Sequence, residues 1–314
     1  MVLGALLLLT GCASFGVRAR PALRADGRWT SFDGKDMPWR CWLPGKGEPV
    51  RAVIITIHGL SGAASDFWLL GERLPKAGYA VYGYELRGQG HDPDPSKRGD
   101  IMEAREWLLD LAQFHQLVKA RHPRSRIIWY GESLGSLIAL HAADRKRAQA
   151  VPDALVLAAP AAGLRIEPGE LERFLIKTSS RLMPRVKVTL GDLAGVEEDK
   201  LRVTSGSTHG EQMKVTPHHV SAFTLRLLRE IGNLIDSNPR AARRLDMPVL
   251  MLASPHDIVA SPEQVQGLFR DLGSKQKRLL WYTRSYHLLL HDVQREEVVE
   301  DLERWITRTL RVKR

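Results

Sequence analysis

Cysteine is nearly absent from this chain: two residues, Cys12 and Cys41, in 314. That excludes a disulfide scaffold, and no C-x-x-C or Cys/His spacing offers a zinc site. No apolar run reaches the roughly 18 residues needed to cross a bilayer. No basic run is interleaved with aromatics, so nucleic acid is not an expected partner. There is no G-x-x-x-x-G-K-[ST] phosphate loop, no internal repeat and no low-complexity tract. Gly 26 and Pro 17 are ordinary usage, which excludes collagen-like and linker-dominated chains. What remains is a globular balance, 44% hydrophobic and 26% charged, fitting one large domain or one domain with an insertion. Acidic residues are outnumbered, 36 against 46 basic, for a formal charge of +10. This reads as an arginine-rich solvated surface. Attraction to anionic lipid head groups is the functional alternative.

The first eleven residues, MVLGALLLLTG, carry an apolar stretch the length of a secretory-signal core. Leu9-Thr10-Gly11-Cys12 resembles the lipobox of bacterial lipoproteins, in which cleavage precedes a cysteine that is then acylated. No Lys or Arg precedes the apolar run, where such signals normally begin with positive charge. Ala13 and Ser14 follow the cysteine, with no Asp at the second position. By resemblance to Gram-negative sorting, that implies anchoring on the periplasmic side of the outer membrane rather than the inner. Residues 1–11 are then a signal peptide and 12–27 a tether. Cys41, between Trp39 and Trp42 in a strand pattern, reads as structural.

The body alternates strands and helices. Arg28–Phe32 and Trp39–Leu43 flank the hairpin signal Asp33-Gly34-Lys35. Ala52–Ile57 is short, apolar and β-branched, as expected of a strand buried on both faces. Similar runs follow at 80–84, 127–130, 154–157, 249–252 and 279–282. Helical patterns lie at 66–76, 101–121, 136–150, 262–272 and 291–310. The alternation predicts an α/β fold with a mostly parallel, doubly wound sheet. It breaks between Ala159 and Pro248. There Leu171, Phe174, Leu175, Thr178 and Leu182 recur at helical spacing, and Thr216-Pro217 reads as a second helix start. The expected organisation is a core of 28–160 and 247–314 with a helical cap inserted at 161–246. Residues 191–210 would be the cap's irregular middle.

The chemistry falls at strand ends. Gly131-Glu132-Ser133-Leu134-Gly135 is a G-x-S-x-G between a strand and a helix. Such an elbow points the serine outward, with Gly131 and Gly135 where side chains would clash. A serine hydroxyl needs a base, and the base an orienting carboxylate. The chain order on this kind of sheet is Ser, then Asp or Glu, then His. Asp257 follows the strand at 249–252, and His287 lies in the loop after the strand at 279–282. His291 is the rival base, and its helical position favours His287. For the oxyanion, the His58-Gly59-Leu60 loop after Ala52–Ile57 makes the backbone amides of Leu60 and Leu134 the expected donors. His58 would hold that loop. Glu85-Leu86-Arg87-Gly88-Gln89-Gly90 reads as a structural turn rather than a phosphate site.

Together, His58-Gly59, Glu85–Gly90, Gly131–Gly135, Pro255–Val259 and Tyr286–Asp292 resemble the α/β-hydrolase superfamily, in its monoacylglycerol lipase, lysophospholipase and carboxylesterase branch. The resemblance spans about Pro38 to Leu310 and is weakest in the cap. Glu85 stands where the family often has Asp, and Ser254 where it commonly has Gly. The implied activity is a serine hydrolase of carboxylic esters acting through an acyl-enzyme, with no metal or organic cofactor. Its substrate would be a small lipid-like ester, and its membrane contact the N-terminal anchor. A peptidase or thioesterase on the same triad, and a non-catalytic lipid-anchored binding protein, are the alternatives.

Overall fold

The computed structural model describes residues 21–144, 146, 148–165, 178–195 and 197–311. The signal segment with Cys12, and Leu171, Phe174 and Leu175, lie outside them. Nine strands share one sheet: β1 Ala22–Leu23, β2 Arg28–Thr30, β3 Asp36–Trp42, β4 Ala52–Ile57, β5 Tyr79–Tyr84, β6 Arg126–Glu132, β7 Ala154–Ala158, β8 Val249–Ala253 and β9 Lys277–Trp281. Their spatial order is β1-β2-β3-β5-β4-β6-β7-β8-β9. The first three are antiparallel, and β3 pairs antiparallel with β5. Every pairing from β5 to β9 is parallel. The main helices are α1 Trp68–Arg73, α2 Ala104–Arg121, α3 Leu134–Ala142, α4 Leu225–Ala242, α5 Pro262–Asp271 and α6 Arg295–Arg311.

The central strands β4, β5, β7 and β8 are buried at every position because helices cover both faces. Val53, Ile55, Trp129, Leu155 and Met251 pack with Trp107 of α2, Leu137 of α3, Leu227 of α4 and Val265 of α5. Their neighbours Ile54, Ile128, Val156 and Leu250 face the other way, against Leu70 of α1 and Leu302 of α6. The expected mostly parallel, doubly wound α/β sheet is therefore the one found. β5 and β6 lie on opposite sides of β4. The carboxyl ends of β4 and β6 thus form a topological switch point, where such sheets open a ligand crevice.

Several element boundaries differ from expectation. α3 starts at Leu134 and ends at Ala142, not 136–150. The Asp144 side chain takes the Lys146 N–H at 3.1 Å, a local turn that competes with further helix. Thr216-Pro217 does not begin a helix. His219 N–H closes a turn on the Thr216 carbonyl, and α4 begins at Leu225 with Thr224 Oγ1 accepting the Leu227 N–H. Residues 191–210 are not irregular throughout. Short helices Leu190–Ala194 and His209–Val215 start at capping boxes, Thr189/Asp192 and Thr208/Glu211, around a small hairpin of Arg202–Thr204 and Ser207–Thr208. His291 ends a 3₁₀ turn, Leu289–His291, and precedes the last helix instead of belonging to it.

Candidate active site

Ser133 follows β6 directly, as the residue before α3. Its φ is 54° and ψ −117°, a conformation that residues with a Cβ rarely adopt. The glycines make the elbow possible. A Cβ on Gly131 would lie 2.3 Å from the Gly135 carbonyl oxygen, and one on Gly135 only 1.9 Å from that of Ile57. Asp257 and His287 approach from the carboxyl ends of β8 and β9. His287 Nε2 lies 2.9 Å from Ser133 Oγ, and His287 Nδ1 lies 2.9 Å from both Asp257 carboxylate oxygens. A carboxylate only accepts, so Nδ1 carries the ring proton and Nε2 accepts from the serine hydroxyl. The candidate triad residues, 124 and 30 positions apart, therefore form one hydrogen-bonded chain. Asp257 and His287 are buried, while Ser133 is partly open.

Electrostatics poise the imidazole. Burial pushes the His287 pKa down, but the facing Asp257, with Glu132 beyond it, raises it above the ordinary 6.5. Glu132 itself is buried beside the serine. Desolvation raises it to about 7, and His287 opposes while Asp66 and Asp257 add. Sequence reasoning passed over Glu132, although an ionisable residue inside the elbow was the available signal.

The His58-Gly59-Leu60 loop leaves β4 alongside. A Cβ on Gly59 would meet the Ser133 Cβ at 3.2 Å, so the loop's backbone runs against the serine. His58 is buried and accepts the Leu86 N–H on Nε2 at 3.0 Å, which holds the loop to the turn after β5. In that turn Glu85 accepts the Ala64 and His91 amides, each at 3.1 Å. Arg87 is taken up by Asp110 and Asp33, both at 2.6 Å. Its guanidinium braces the β2–β3 turn, α2 and the turn after β5.

Further contacts hold the loops. The Ser254 hydroxyl donates to the Ser285 carbonyl, joining the acid and histidine loops. Arg165 donates to the main-chain carbonyls of Pro255 and Asp257. Asp292 accepts the Tyr286 N–H at 2.8 Å and the Val293 N–H at 2.7 Å, so it ties both ends of the loop that carries His287. The same carboxylate accepts the N–H and hydroxyl of Ser205, between β7 and β8, and the Leu288 N–H donates to the Val203 carbonyl at 3.0 Å. His291, the rival base, is partly buried, and that desolvation lowers its pKa. The 2.9 Å contact to Ser133 belongs to His287.

A family model described as serine aminopeptidase, S33, matches residues 48–294. The chain is 26% identical over 252 residues to phospholipase YtpA of Bacillus subtilis, covering 79% of this chain and 92% of that protein. It is 24% identical over 285 residues to a monoacylglycerol lipase of Mycolicibacterium smegmatis, covering 90% and 97%. The crystal structure of Paleococcus ferrophilus monoacylglycerol lipase superposes with a TM-score of 0.73 at 21% identity, covering 88% of this chain and all of that one. The match to the family model extends from just before β4 to just before α6 and takes in all three loops of the hydrogen-bonded chain. This protein belongs to the serine aminopeptidase S33 family of α/β-hydrolases.

Proposed function

We propose that the protein hydrolyses carboxylic esters of small lipids through an acyl-enzyme, with a monoacylglycerol or lysophospholipid as substrate. The observation that carries this reading is the 2.9 Å chain from Ser133 Oγ through the His287 ring to Asp257. Ser133 attacks the acyl carbon as His287 Nε2 takes its proton. Asp257 fixes the ring and stabilises the imidazolium. The amides of Leu60 and Leu134 receive the oxyanion, since Leu134 follows the serine, Leu60 follows Gly59 which abuts it, and side-chain identity is irrelevant to an amide donor. His287 then protonates the leaving alcohol, and water repeats the sequence to release the acid. The relatives named phospholipase and monoacylglycerol lipase support the ester and lipid choice. Residues 161–246 act as a cap over this site, and Cys12 carries a lipid anchor on the periplasmic side of the outer membrane.

The test is a panel of p-nitrophenyl esters, short to long, run beside aminoacyl p-nitroanilides. The nitroanilide arm answers the family's peptidase description. Hydrolysis of esters and not of anilides is expected, and the reverse would reassign the substrate class. Ser133→Ala should lower kcat at least about a thousandfold with the fold intact, as losing a triad member does. A smaller loss would remove Ser133 from the mechanism.

A further inference from the structure

Leu60 is followed by a residue in a costly conformation that is tied across the cleft. Ser61 has φ 61°, in the left-handed region that non-glycine residues enter rarely. Such a conformation persists only where the surroundings over-determine it. Three contacts do so here. The Ser61 N–H donates to Oε1 of fully buried Gln89 at 2.8 Å. Its Oγ accepts the Val220 N–H at 2.8 Å. The same Oγ lies 2.8 Å from Nδ1 of His219. A hydroxyl both donates and accepts, so this bond forms with either tautomer of the neutral His219 ring. Burial, with His209 and His218 nearby, holds His219 down at about 4, so the ring is neutral at ordinary pH. One residue earlier, His218 Nε2 lies 3.2 Å from Asp66, whose other oxygen accepts the Ala63 N–H at 2.8 Å. Residues 218–220 thus grip the stretch 61–66 at both ends.

We propose that Ser61 and His219 are a positioning pair through which the cap aims the Leu60 amide at the oxyanion. Leu60 is suspended between Gly59, which abuts Ser133, and Ser61, which is pinned to the cap. Free of that pin, Ser61 relaxes from its left-handed φ and the neighbouring peptide planes rotate with it. The proposal rests on the role given to Leu60 above. A whole oxyanion donor is worth about 10²–10³ in kcat, so mis-aiming one should forfeit roughly tenfold.

The experiment measures kcat and KM on a short p-nitrophenyl ester, normalised by fluorophosphonate titration of reactive serine so that unfolded protein does not count. His219→Phe and Ser61→Ala should each lower kcat roughly tenfold at unchanged KM. His219→Asn places an amide, which can either accept or donate, where Nδ1 stood and should recover to within about threefold. The double variant should be no worse than Ser61→Ala alone, because that variant already loses the His219 bond together with the Val220 one. Single variants with parental kcat per reactive serine, or losses that multiply, would overturn the pair while leaving the ester-hydrolase reading intact. A parent protein that never reacts with the fluorophosphonate would overturn that reading and this proposal together.

Discussion

At the scale of single residues, Glu132 sets two expectations. Its carboxyl titrates near 7 in the fold against an ordinary 4.5, chiefly through burial. The unfolded chain therefore releases this proton first, and stability falls as pH rises from about 4 to 7. Glu132→Gln should leave stability at pH 4 nearly unchanged and raise it at pH 8 by on the order of 3 kcal/mol. Denaturant titrations at the two pH values are the check, and equal gains would contradict it. The second expectation concerns rate. Only neutral His287 accepts a proton, so kcat/KM should rise with pH through a midpoint above 6.5. The Glu132 charge helps to raise that midpoint, so Glu132→Gln should move it to lower pH. A midpoint that stays put would show that the carboxylate and imidazole are uncoupled. Ser133, Asp257 and His287 were legible in the sequence because each follows a recognisable strand in the order such sheets impose. The contact between Ser61 and His219 was not, because nothing local links residues 158 positions apart.

At the scale of elements, the strands buried on both faces were the easiest to read, since burial demands an unbroken apolar run. β9 starts two residues before, and ends one residue before, the run the sequence suggests. It is the edge strand, only partly buried, and begins with Lys277-Arg278, so its pattern is weaker. The helix starts at Thr189 and Thr208 carried visible T-x-x-D and T-x-x-E signals. They were obscured by the short lengths that followed. Two glycines separate packing from propensity. Gly135 on α3 touches β4, where a Cβ would lie 1.9 Å from the Ile57 oxygen. Gly232 on α4 has nothing within 4 Å of that position. Gly135→Ala should therefore destabilise by about 3 kcal/mol or more as α3 is forced off the sheet. Gly232→Ala should stabilise by roughly 0.5–1 kcal/mol through helix propensity alone. Thermal melts of both report the answer, and a Gly135→Ala melt matching the parent would refute the close approach.

At the scale of the whole molecule, the lipid anchor and the hydrolase body are separable in the proposed reading. Among the described residues no helix is long and apolar enough to cross a membrane. Acyl chains add about 0.8 kcal/mol per buried CH₂, and two or more anchor where one barely does. Cys12→Ser should thus move the protein from the membrane to the soluble fraction in high salt, with short-chain esterase activity unchanged. High salt strips adhesion through the +10 charge. Retention on the membrane under those conditions would discard the lipoprotein reading. The body itself is less modular. Asp292 and Leu288 in the histidine loop, and Ser61 and Asp66 in the loop after β4, each hold a partner from the segment between β7 and β8. For recombination this means that the segment cannot be exchanged as a cassette. A chimera joined at residues 160 and 248 would set a foreign insert against these orphaned contacts, and against Arg98, Asp100 and Ala104, which bond Lys187, Thr224, Arg226 and Glu230. One that also carries the donor's matching stretches at 61–66, 98–104 and 286–292 keeps these bonds with their own partners. Inherited changes of specificity in such a scaffold should therefore travel as linked sets of segments rather than as one.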